Sequence, residues 1–253
     1  MAKPPVPHPR SILITGASRG IGAALAEVYA APGVTLAITG RDAAALATRK
    51  AALEAKGARV LTASFDVTDA AAQAAFFAEA DAAAPLDLVI ANAGVGDTAR
   101  NLKDLRRATR HVLKTNVDGA IETALLAVET MAPRGRGQIG LVASIASFQG
   151  LPGAAAYCAS KAAVRVFGEG LRADVAKAGI GVTVICPGFV ATDMTAKNDF
   201  PMPFIWPADK AARVIARGLS RNAARVAFPW PLVAAMKAIN LAPQDLIARL
   251  MMR

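Results

Sequence analysis

The chain has 253 residues, of which 54% are hydrophobic and 19% charged, and its mean hydropathy is +0.37. This composition excludes a disordered chain, and the length allows one large hydrophobic core. The two cysteines, Cys158 and Cys186, are too few for a disulfide framework or a four-cysteine zinc site, which favours the reducing cytoplasm. The formal net charge of +10 favours anionic ligands, but no nucleic-acid recognition motif accompanies it, so no nucleic-acid partner is predicted.

The N-terminus has no apolar stretch of the kind found in secretory signals, and its prolines predict an extended, mobile leader over residues 1–9. Strand and helix patterns then alternate along the chain. Strands are predicted over residues 11–15, 34–39, 59–65, 87–91, 138–144, 181–186 and 225–228, and helices over 21–31, 42–56, 69–84, 105–131, 155–177 and 208–220. Asp42 is the predicted N-cap of the second helix.

The longest uncharged window, residues 137–160, is long enough to cross a membrane. It contains serines, glutamines, glycines and a proline, so we interpret it as a buried strand, a loop and the start of a helix. The alternation predicts an α/β fold: a Rossmann-like, doubly wound parallel sheet with helices on both faces. No linker or repeat interrupts it, which predicts one domain over residues 10–228, extended by a helical C-terminal tail over 229–253.

A glycine-rich segment follows the first strand and opens the first helix. Residues 15–22 read Thr-Gly-Ala-Ser-Arg-Gly-Ile-Gly. Glycines allow a tight turn and a close approach to a pyrophosphate, and a helix N-terminus favours negative charge. A glycine cluster alone also fits an ordinary turn, but its place in the first strand–helix connection predicts a dinucleotide cofactor.

This segment and the motifs that follow it resemble the short-chain dehydrogenase/reductase family, in its single-domain branch. The matching motifs are, in family order, Thr-Gly-x-x-x-Gly-x-Gly at 15–22, Asp66-Val67, Asn92-Ala93-Gly94, Asn116, Ser144, Tyr157, Lys161, Pro187-Gly188 and Thr192. The resemblance covers residues 10–228. It departs at Ala91, where many members have a second asparagine, and the tail after Phe228 carries no family motif.

The resemblance implies a catalytic set and a cofactor site. The catalytic set is Asn116, Ser144, Tyr157 and Lys161, with no metal. The implied cofactor contacts are Gly16, Ser18, Arg19, Gly20, Ile21, Gly22, Arg41, Asp66, Val67, Asn92, Ala93, Gly94, Tyr157, Lys161, Pro187, Gly188, Val190 and Thr192. It also implies that Asn116 binds a water that connects Lys161 to solvent.

The chemistry of two of these residues can be argued directly. Tyr157 and Lys161 are four residues apart and share one face of a helix. A free tyrosine has a pKa of about 10, and one nearby cation lowers a pKa by about 1–3 units. Lys161 together with an oxidised nicotinamide is therefore expected to lower the pKa of Tyr157. Ser147 also competes for the serine role, but its spacing to Tyr157 does not fit, and His111 is expected on a helix surface.

The end of the second predicted strand bears on the choice of dinucleotide. Gly40 stands where enzymes that use NAD usually place an acid, and Arg41 follows it. An arginine binds a 2′-phosphate in a bidentate fashion, and Arg19 adds a second cation. The alternative is that both arginines are solvated loop residues. The pattern favours NADP(H) over NAD(H).

The predicted function is an NADP-dependent oxidoreductase that transfers hydride between nicotinamide and a carbonyl or secondary alcohol. The alternatives are a 3-oxoacyl-carrier-protein reductase and a catalytically silent, nucleotide-sensing protein. The stretch after Gly188 predicts an apolar roof for a hydrophobic small-molecule substrate, although plain packing explains it equally well. Its apolar members are Phe189, Met194, Phe200, Met202, Phe204, Ile205 and Trp206. Regularly spaced apolar residues in the tail favour packing on the cleft or on another subunit of a homodimer or homotetramer over peripheral membrane contact.

Overall fold

A parallel β-sheet forms the centre of the molecule. Within residues 6–97 and 101–239, which the computed structural model describes, seven strands pair in the order β3-β2-β1-β4-β5-β6-β7, and every pairing is parallel. The strands are β1 (Ser11–Ile14), β2 (Thr35–Gly40), β3 (Arg59–Ser64), β4 (Leu88–Ala91), β5 (Gly137–Val142), β6 (Ile180–Pro187) and β7 (Arg225–Phe228). The chain winds outward from β1 to β3 and then returns to β4 beside β1. This reversal opens a crevice at the carboxyl ends of β1 and β4.

Helices cover both faces of the sheet, so the predicted doubly wound α/β fold is confirmed. They are α1 (Gly20–Tyr29), α2 (Ala43–Glu54), α3 (Ala70–Ala83), α4 (Leu102–Leu113), α5 (Gly119–Met131), α6 (Ala155–Asp174), α7 (Ala208–Ser220) and α8 (Trp230–Ile239). Alternate side chains of β1 enter opposite layers: Ile12 and Ile14 pack with α1, α2 and α7, whereas Leu13 packs with α3, α5 and α6. All three are fully buried, as expected of a strand covered on both faces.

Two aspartates begin helices that lead away from the sheet edge. Asp42 accepts a hydrogen bond from the Ala45 amide at 2.9 Å, which confirms the predicted cap of α2. Asp69 accepts one from the Ala72 amide at 3.0 Å and begins α3 in the same way. Each bond satisfies a backbone N–H that the first helical turn leaves without a partner.

The helix predicted over residues 105–131 is wrong in one respect, because it is interrupted. Between α4 and α5, residues Lys114–Asp118 form a π-turn, and the amide of Gly119 donates to the carbonyl of Lys114. Such wide turns are rare and concentrate at functional sites. Asn116 lies within this one, fully buried.

The uncharged window 137–160 has the predicted form of a strand, a loop and a helix start. It contains β5, a short 3₁₀ turn over Ile145–Ser147, and the first residues of α6. Among the described helices, none combines the length and apolar character that a membrane crossing requires.

Both ends of the chain lie partly outside the described residues. Residues 1–5 of the predicted leader do so, and Val6 is already buried. The predicted tail is helical as far as it is described, since α8 covers Trp230–Ile239. This helix packs against β7 and against the Ile145–Ser147 turn. The apolar positions of the tail from residue 240 onward lie outside the described residues.

Candidate active site

The glycine loop between β1 and α1 leaves room for a ligand. Gly16 has φ +67°, and a β-carbon there would lie 2.7 Å from the Cα of Ala93. Gly22 packs so closely on the Asn92 amide that it also has no space for a side chain. Arg19 is the N-cap of α1 but places no side chain on the first amides of the helix. The loop therefore offers uncapped N–H groups and an open concave backbone, which fit a pyrophosphate.

The turn after β4 holds this loop in place. The Thr15 hydroxyl accepts hydrogen bonds from the amides of Asn92 and Ala93 at 3.1 and 3.2 Å. The Asn92 side chain donates to the carbonyls of Thr15 and Gly16 at 2.9 and 3.0 Å. Asn92 therefore shapes the loop through its side chain, a role that the motif alone does not show.

One cleft brings together nearly all of the predicted site residues. Those that line it are Gly16, Ser18, Arg19, Gly20, Ile21, Arg41, Asp66, Val67, Asn92, Ala93, Gly94, Ser144, Tyr157, Lys161, Pro187, Gly188, Val190 and Thr192. Gly22 and Asn116 lie behind the lining. The prediction missed further lining residues, namely Thr39, Phe65, Val95, Thr115, Val142, Ala143, Asp193 and Thr195, whereas Met194, predicted as part of the apolar roof, also lines the cleft. Most of the missed residues are direct sequence neighbours of a predicted residue. Their position beside a motif could therefore have identified them, whereas their residue types could not.

Tyr157 and Lys161 project from one face of α6 toward the carboxyl end of β5. The Lys161 ammonium lies 6.0 Å from the centroid of the Tyr157 ring and donates to the Val142 carbonyl at 2.8 Å. Only 5% of the Lys161 surface is exposed, so its charge acts in a site with little water. Ser144 follows β5 and hydrogen-bonds Tyr157. The structure thus joins the three residues in one polar cluster.

Burial shifts the pKa of both ionisable members of this cluster. It raises the pKa of Tyr157, and the hydrogen bond with Ser144 offsets only part of that rise. Burial also lowers the pKa of Lys161 to about 8. The lowered pKa expected for Tyr157 is therefore not produced by the protein residues alone, because burial disfavours the charged phenolate more than the hydrogen bond with Ser144 favours it. The raised value keeps Tyr157 protonated at neutral pH, which suits a proton donor.

Asn116 supports the cluster from behind. Its Oδ1 accepts from the Val95 amide at 2.7 Å, and its Nδ2 donates to the Val95 carbonyl at 2.9 Å and to the Ser160 hydroxyl at 3.0 Å. Both hydrogens of the amide are therefore used. A water held by this side chain for a proton relay to Lys161 could only donate to Oδ1.

The arginines predicted to select the dinucleotide lie at the mouth of the cleft. Arg41 follows β2, is about half exposed, and lies 3.8 Å from the carboxylate of Asp66. Arg19 lies 3.7 Å from the carboxylate of Asp193. A β-carbon at Gly40 would lie 3.0 Å from the Ser18 hydroxyl, so a side chain at this position would require the Ser18 side chain to shift.

The carboxylate of Asp66 is held in its charged form. Burial alone would raise the pKa of Asp66, but hydrogen bonds from Thr68 lower it. The charges of Arg41 and His111 lower this pKa further. His111 is half-buried and close enough to act on Asp66, so it is not the plain helix-surface residue that the sequence suggested.

The apolar roof expected over the substrate forms only in part. Met194 lines the cleft, and Phe200, Phe204 and Ile205 are exposed on the same connection between β6 and α7. Phe204 adopts φ +58°, an uncommon conformation for a residue with a side chain. Trp206 is the exception. It stacks on Phe228 at 4.9 Å and packs against the core, because the backbone bridge between Val190 and Trp206 turns it inward.

Ser147 and the two cysteines do not line the cleft. Ser147 is buried and does not line the cleft, in agreement with its unsuitable spacing. Cys158 and Cys186 are buried and unpaired. Burial raises the pKa of both thiols, which makes them poor nucleophiles.

Known proteins share this sequence pattern. The model of the short chain dehydrogenase family matches residues 10–201. An uncharacterized oxidoreductase of Myxococcus xanthus is 40% identical over 238 residues, which are 94% of each chain. A gluconate 5-dehydrogenase of Gluconobacter oxydans is 36% identical over 73% of each chain. A ketoacyl reductase of a Nostoc species is 30% identical over 77% of this chain and 68% of its own.

A solved structure agrees with the fold. The short-chain dehydrogenase from Sphingobium yanoikuyae in complex with NADPH superimposes with a TM-score of 0.80 at 26% identity, covering 94% of each chain. The extent of the family match, the parallel sheet and the oxidoreductase names of the relatives agree with one another. The chain is therefore a member of the short-chain dehydrogenase/reductase family and an NAD(P)-dependent oxidoreductase.

Proposed function

We propose that the protein reduces the carbonyl group of a hydrophobic small molecule with NADPH, or oxidises the corresponding secondary alcohol. The observation that carries this proposal is the cluster of Ser144, Tyr157 and Lys161 at the inner end of a cleft whose outer end bears two arginines. A catalytically silent, nucleotide-sensing protein would not need this complete set of reacting groups.

The residues have separable tasks in this reaction. The bound nicotinamide supplies or accepts hydride. Ser144 donates a hydrogen bond to the substrate oxygen and stabilises the negative charge that develops there. Tyr157 donates its proton to the same oxygen, and Lys161 stabilises the charge that remains on the phenolic oxygen and holds the ribose hydroxyls.

The preference for NADP(H) rests on the end of β2. Gly40 offers no carboxylate to a ribose hydroxyl, and Arg41 presents a half-exposed guanidinium beside it. Asp66 neutralises part of that charge, and Arg19, which itself lies 3.7 Å from the carboxylate of Asp193, is the proposed second cation. The NADPH complex of the Sphingobium yanoikuyae relative supports the same choice.

The exposed apolar residues on the connection between β6 and α7 favour a hydrophobic substrate over a sugar acid. Phe200, Phe204 and Ile205 expose large apolar side chains on this connection, which also carries the cleft residue Met194. The test is to follow NADPH and NADH oxidation with a panel of aromatic and aliphatic ketones, aldehydes, 5-ketogluconate and 3-oxoacyl thioesters. Turnover with apolar carbonyls and NADPH is expected. Reduction of 5-ketogluconate alone, or equal use of NADH, contradicts the proposal.

A second candidate, a 3-oxoacyl-carrier-protein reductase, is favoured by one surface feature. Helix α4 exposes Lys103, Arg106 and Arg110, and the exposed Lys114 follows its last residue. Arg107 of α4 pairs with Asp97, on the segment that leaves the cleft, at 3.1 Å. A basic helix that forms an ion pair with the segment next to the cleft offers a complementary surface to an acidic carrier protein. In the same panel, a large preference for the carrier-bound thioester over the coenzyme A thioester, lost at high salt, selects this candidate.

Reduction is expected to slow as the pH rises above about 8. Tyr157 remains protonated there because its pKa is raised, whereas Lys161, whose pKa is lowered to about 8, loses its positive charge. The kcat/KM for NADPH reports groups of the free enzyme, so it is measured from pH 6.5 to 10 with a substrate that does not titrate. A profile that stays flat up to pH 9.5 contradicts this assignment.

We also propose that the protein acts in the cytoplasm as a homodimer or homotetramer in which the tail helps to close the substrate cleft. The Leu232 side chain approaches Gly188 of the cleft lining, whereas 78% of Trp230 is exposed and available to another surface. Truncation after Phe228 is therefore expected to raise the substrate KM or to reduce the oligomer mass measured by light scattering. Liposome sedimentation is the control. If only the full-length chain binds anionic liposomes, and KM and mass are unchanged, the tail is a membrane contact instead.

A further inference from the structure

Ser160 joins three parts of the candidate active site without lining the cleft. It directly precedes Lys161 on α6 and is fully buried. Its hydroxyl donates to the backbone carbonyl of Tyr157 at 2.7 Å and accepts from Nδ2 of Asn116 at 3.0 Å. A serine that bonds only to its own helix is common. The second bond, to a different element, sets this serine apart.

The directions of these bonds leave little freedom. The single hydroxyl hydrogen is used by the Tyr157 carbonyl, so the oxygen faces Asn116 as an acceptor. The Asn116 amide gives its other hydrogen to Val95 and receives the Val95 N–H. Because Asn116 and Ser160 are both shielded from water, no solvent molecule replaces a missing partner at low cost.

We propose that Ser160 is a positioning residue, which holds Asn116 and thereby fixes the Val95 segment against the helix that carries Tyr157 and Lys161. Val95 lines the cleft at the carboxyl end of β4, whereas Tyr157 and Lys161 reach the cleft from α6. The reacting groups therefore depend on the distance between α6 and the turn after β4. A displacement of about 1 Å at such a site costs as much as 100-fold in rate.

Loss of the hydroxyl is expected to affect turnover more than cofactor affinity. In Ser160→Ala, one amide hydrogen of Asn116 loses its acceptor, and the amide is free to rotate away from Val95. The contacts that hold the phosphates and adenine come from the glycine loop and from the Asp66 region, which Ser160 does not touch. We expect kcat to fall about 10- to 100-fold, with the NADPH dissociation constant changed less than threefold.

A double-mutant cycle distinguishes positioning from plain helix stability. Ser160→Ala, Asn116→Ala and the double variant are compared by kcat, NADPH binding and thermal unfolding. If Ser160 acts through Asn116, the double variant loses no more than Asn116→Ala alone. Losses that multiply overturn the proposal. Ser11→Ala is the matched control, because its buried hydroxyl donates to the Ala84 carbonyl at 2.8 Å, at the opposite end of β1.

A second readout does not require a substrate. Hydrogen exchange of the peptide that contains Val95 is expected to accelerate in Ser160→Ala and equally in Asn116→Ala, because the Val95 N–H bonds to Asn116. Unchanged exchange in both folded variants overturns the proposal. If Ser160→Ala does not fold, Ser160→Cys serves in both measurements, since it keeps the shape of the side chain with a weak acceptor.

The measurement of kcat rests on the proposed function, whereas the measurement of hydrogen exchange does not. Failure of the carbonyl panel combined with accelerated exchange therefore counts against the function alone.

Discussion

Replacing Tyr157 by phenylalanine is expected to lower turnover by about 10²–10⁴-fold while leaving NADPH affinity unchanged. The variant keeps the ring and loses only the hydroxyl that Ser144 contacts. Lys161, the other ionisable group of the cluster, donates to the Val142 carbonyl and is not expected to replace this proton donor. The measurements are steady-state reduction of the best substrate and fluorescence titration with NADPH.

The chain supplies its own control for this substitution. Its other tyrosine, Tyr29, lies on α1 and packs against the core on the opposite face of the sheet from α6. Tyr29→Phe is expected to leave turnover within twofold of the unmodified protein. Near-normal turnover in Tyr157→Phe would show that the proton comes from another group.

Replacing Arg41 by alanine is expected to weaken NADPH binding by at least 10-fold and to leave NADH binding nearly unchanged. Loss of one charge-assisted hydrogen bond costs about 1.5–3 kcal/mol, which corresponds to about 10- to 150-fold in affinity. The lower end is expected here, because Arg41 is half exposed and shares its charge with Asp66. Both cofactors are titrated against each variant at the same ionic strength.

An arginine far from the cleft separates this effect from a general loss of positive charge. Arg136 is similarly exposed and pairs with Asp87 at 3.0 Å, near the amino ends of β4 and β5. Arg136→Ala removes one positive charge from a chain with a net charge of +10, as Arg41→Ala does, and is expected to bind both cofactors normally. If the unmodified protein binds NADH as tightly as NADPH, the preference assigned to Gly40 and Arg41 is wrong.

The layered fold could be predicted because its signals are local. Apolar runs marked the strands within one or two residues, and Asp42 marked a helix start through a bond that spans only three positions. The order of the motifs located the cleft, since parallel strands bring their carboxyl ends to one edge.

The features that the sequence did not reveal depend on contacts between distant segments. Trp206 is a large apolar residue in the segment expected to cover the cleft, yet it packs against the core. There it stacks on Phe228, which lies 22 positions later in the sequence. The pKa of Tyr157 rises because several elements bury it, which no spacing to Lys161 expresses. The role of Ser160 likewise needs Asn116, 44 residues away.

The wide turn at Lys114–Asp118 also constrains how this segment can change in length. An α-helix advances by about 100° with each residue, and a π-turn accommodates roughly one residue more than a regular helix over the same rise. Deleting one residue here would let α4 and α5 merge into one regular helix. Either the exposed basic side of α4 or the buried amide at position 116 would then face a new direction. Natural variants of this chain are therefore expected to keep its residue count between Leu113 and Gly119, even where the residue types differ.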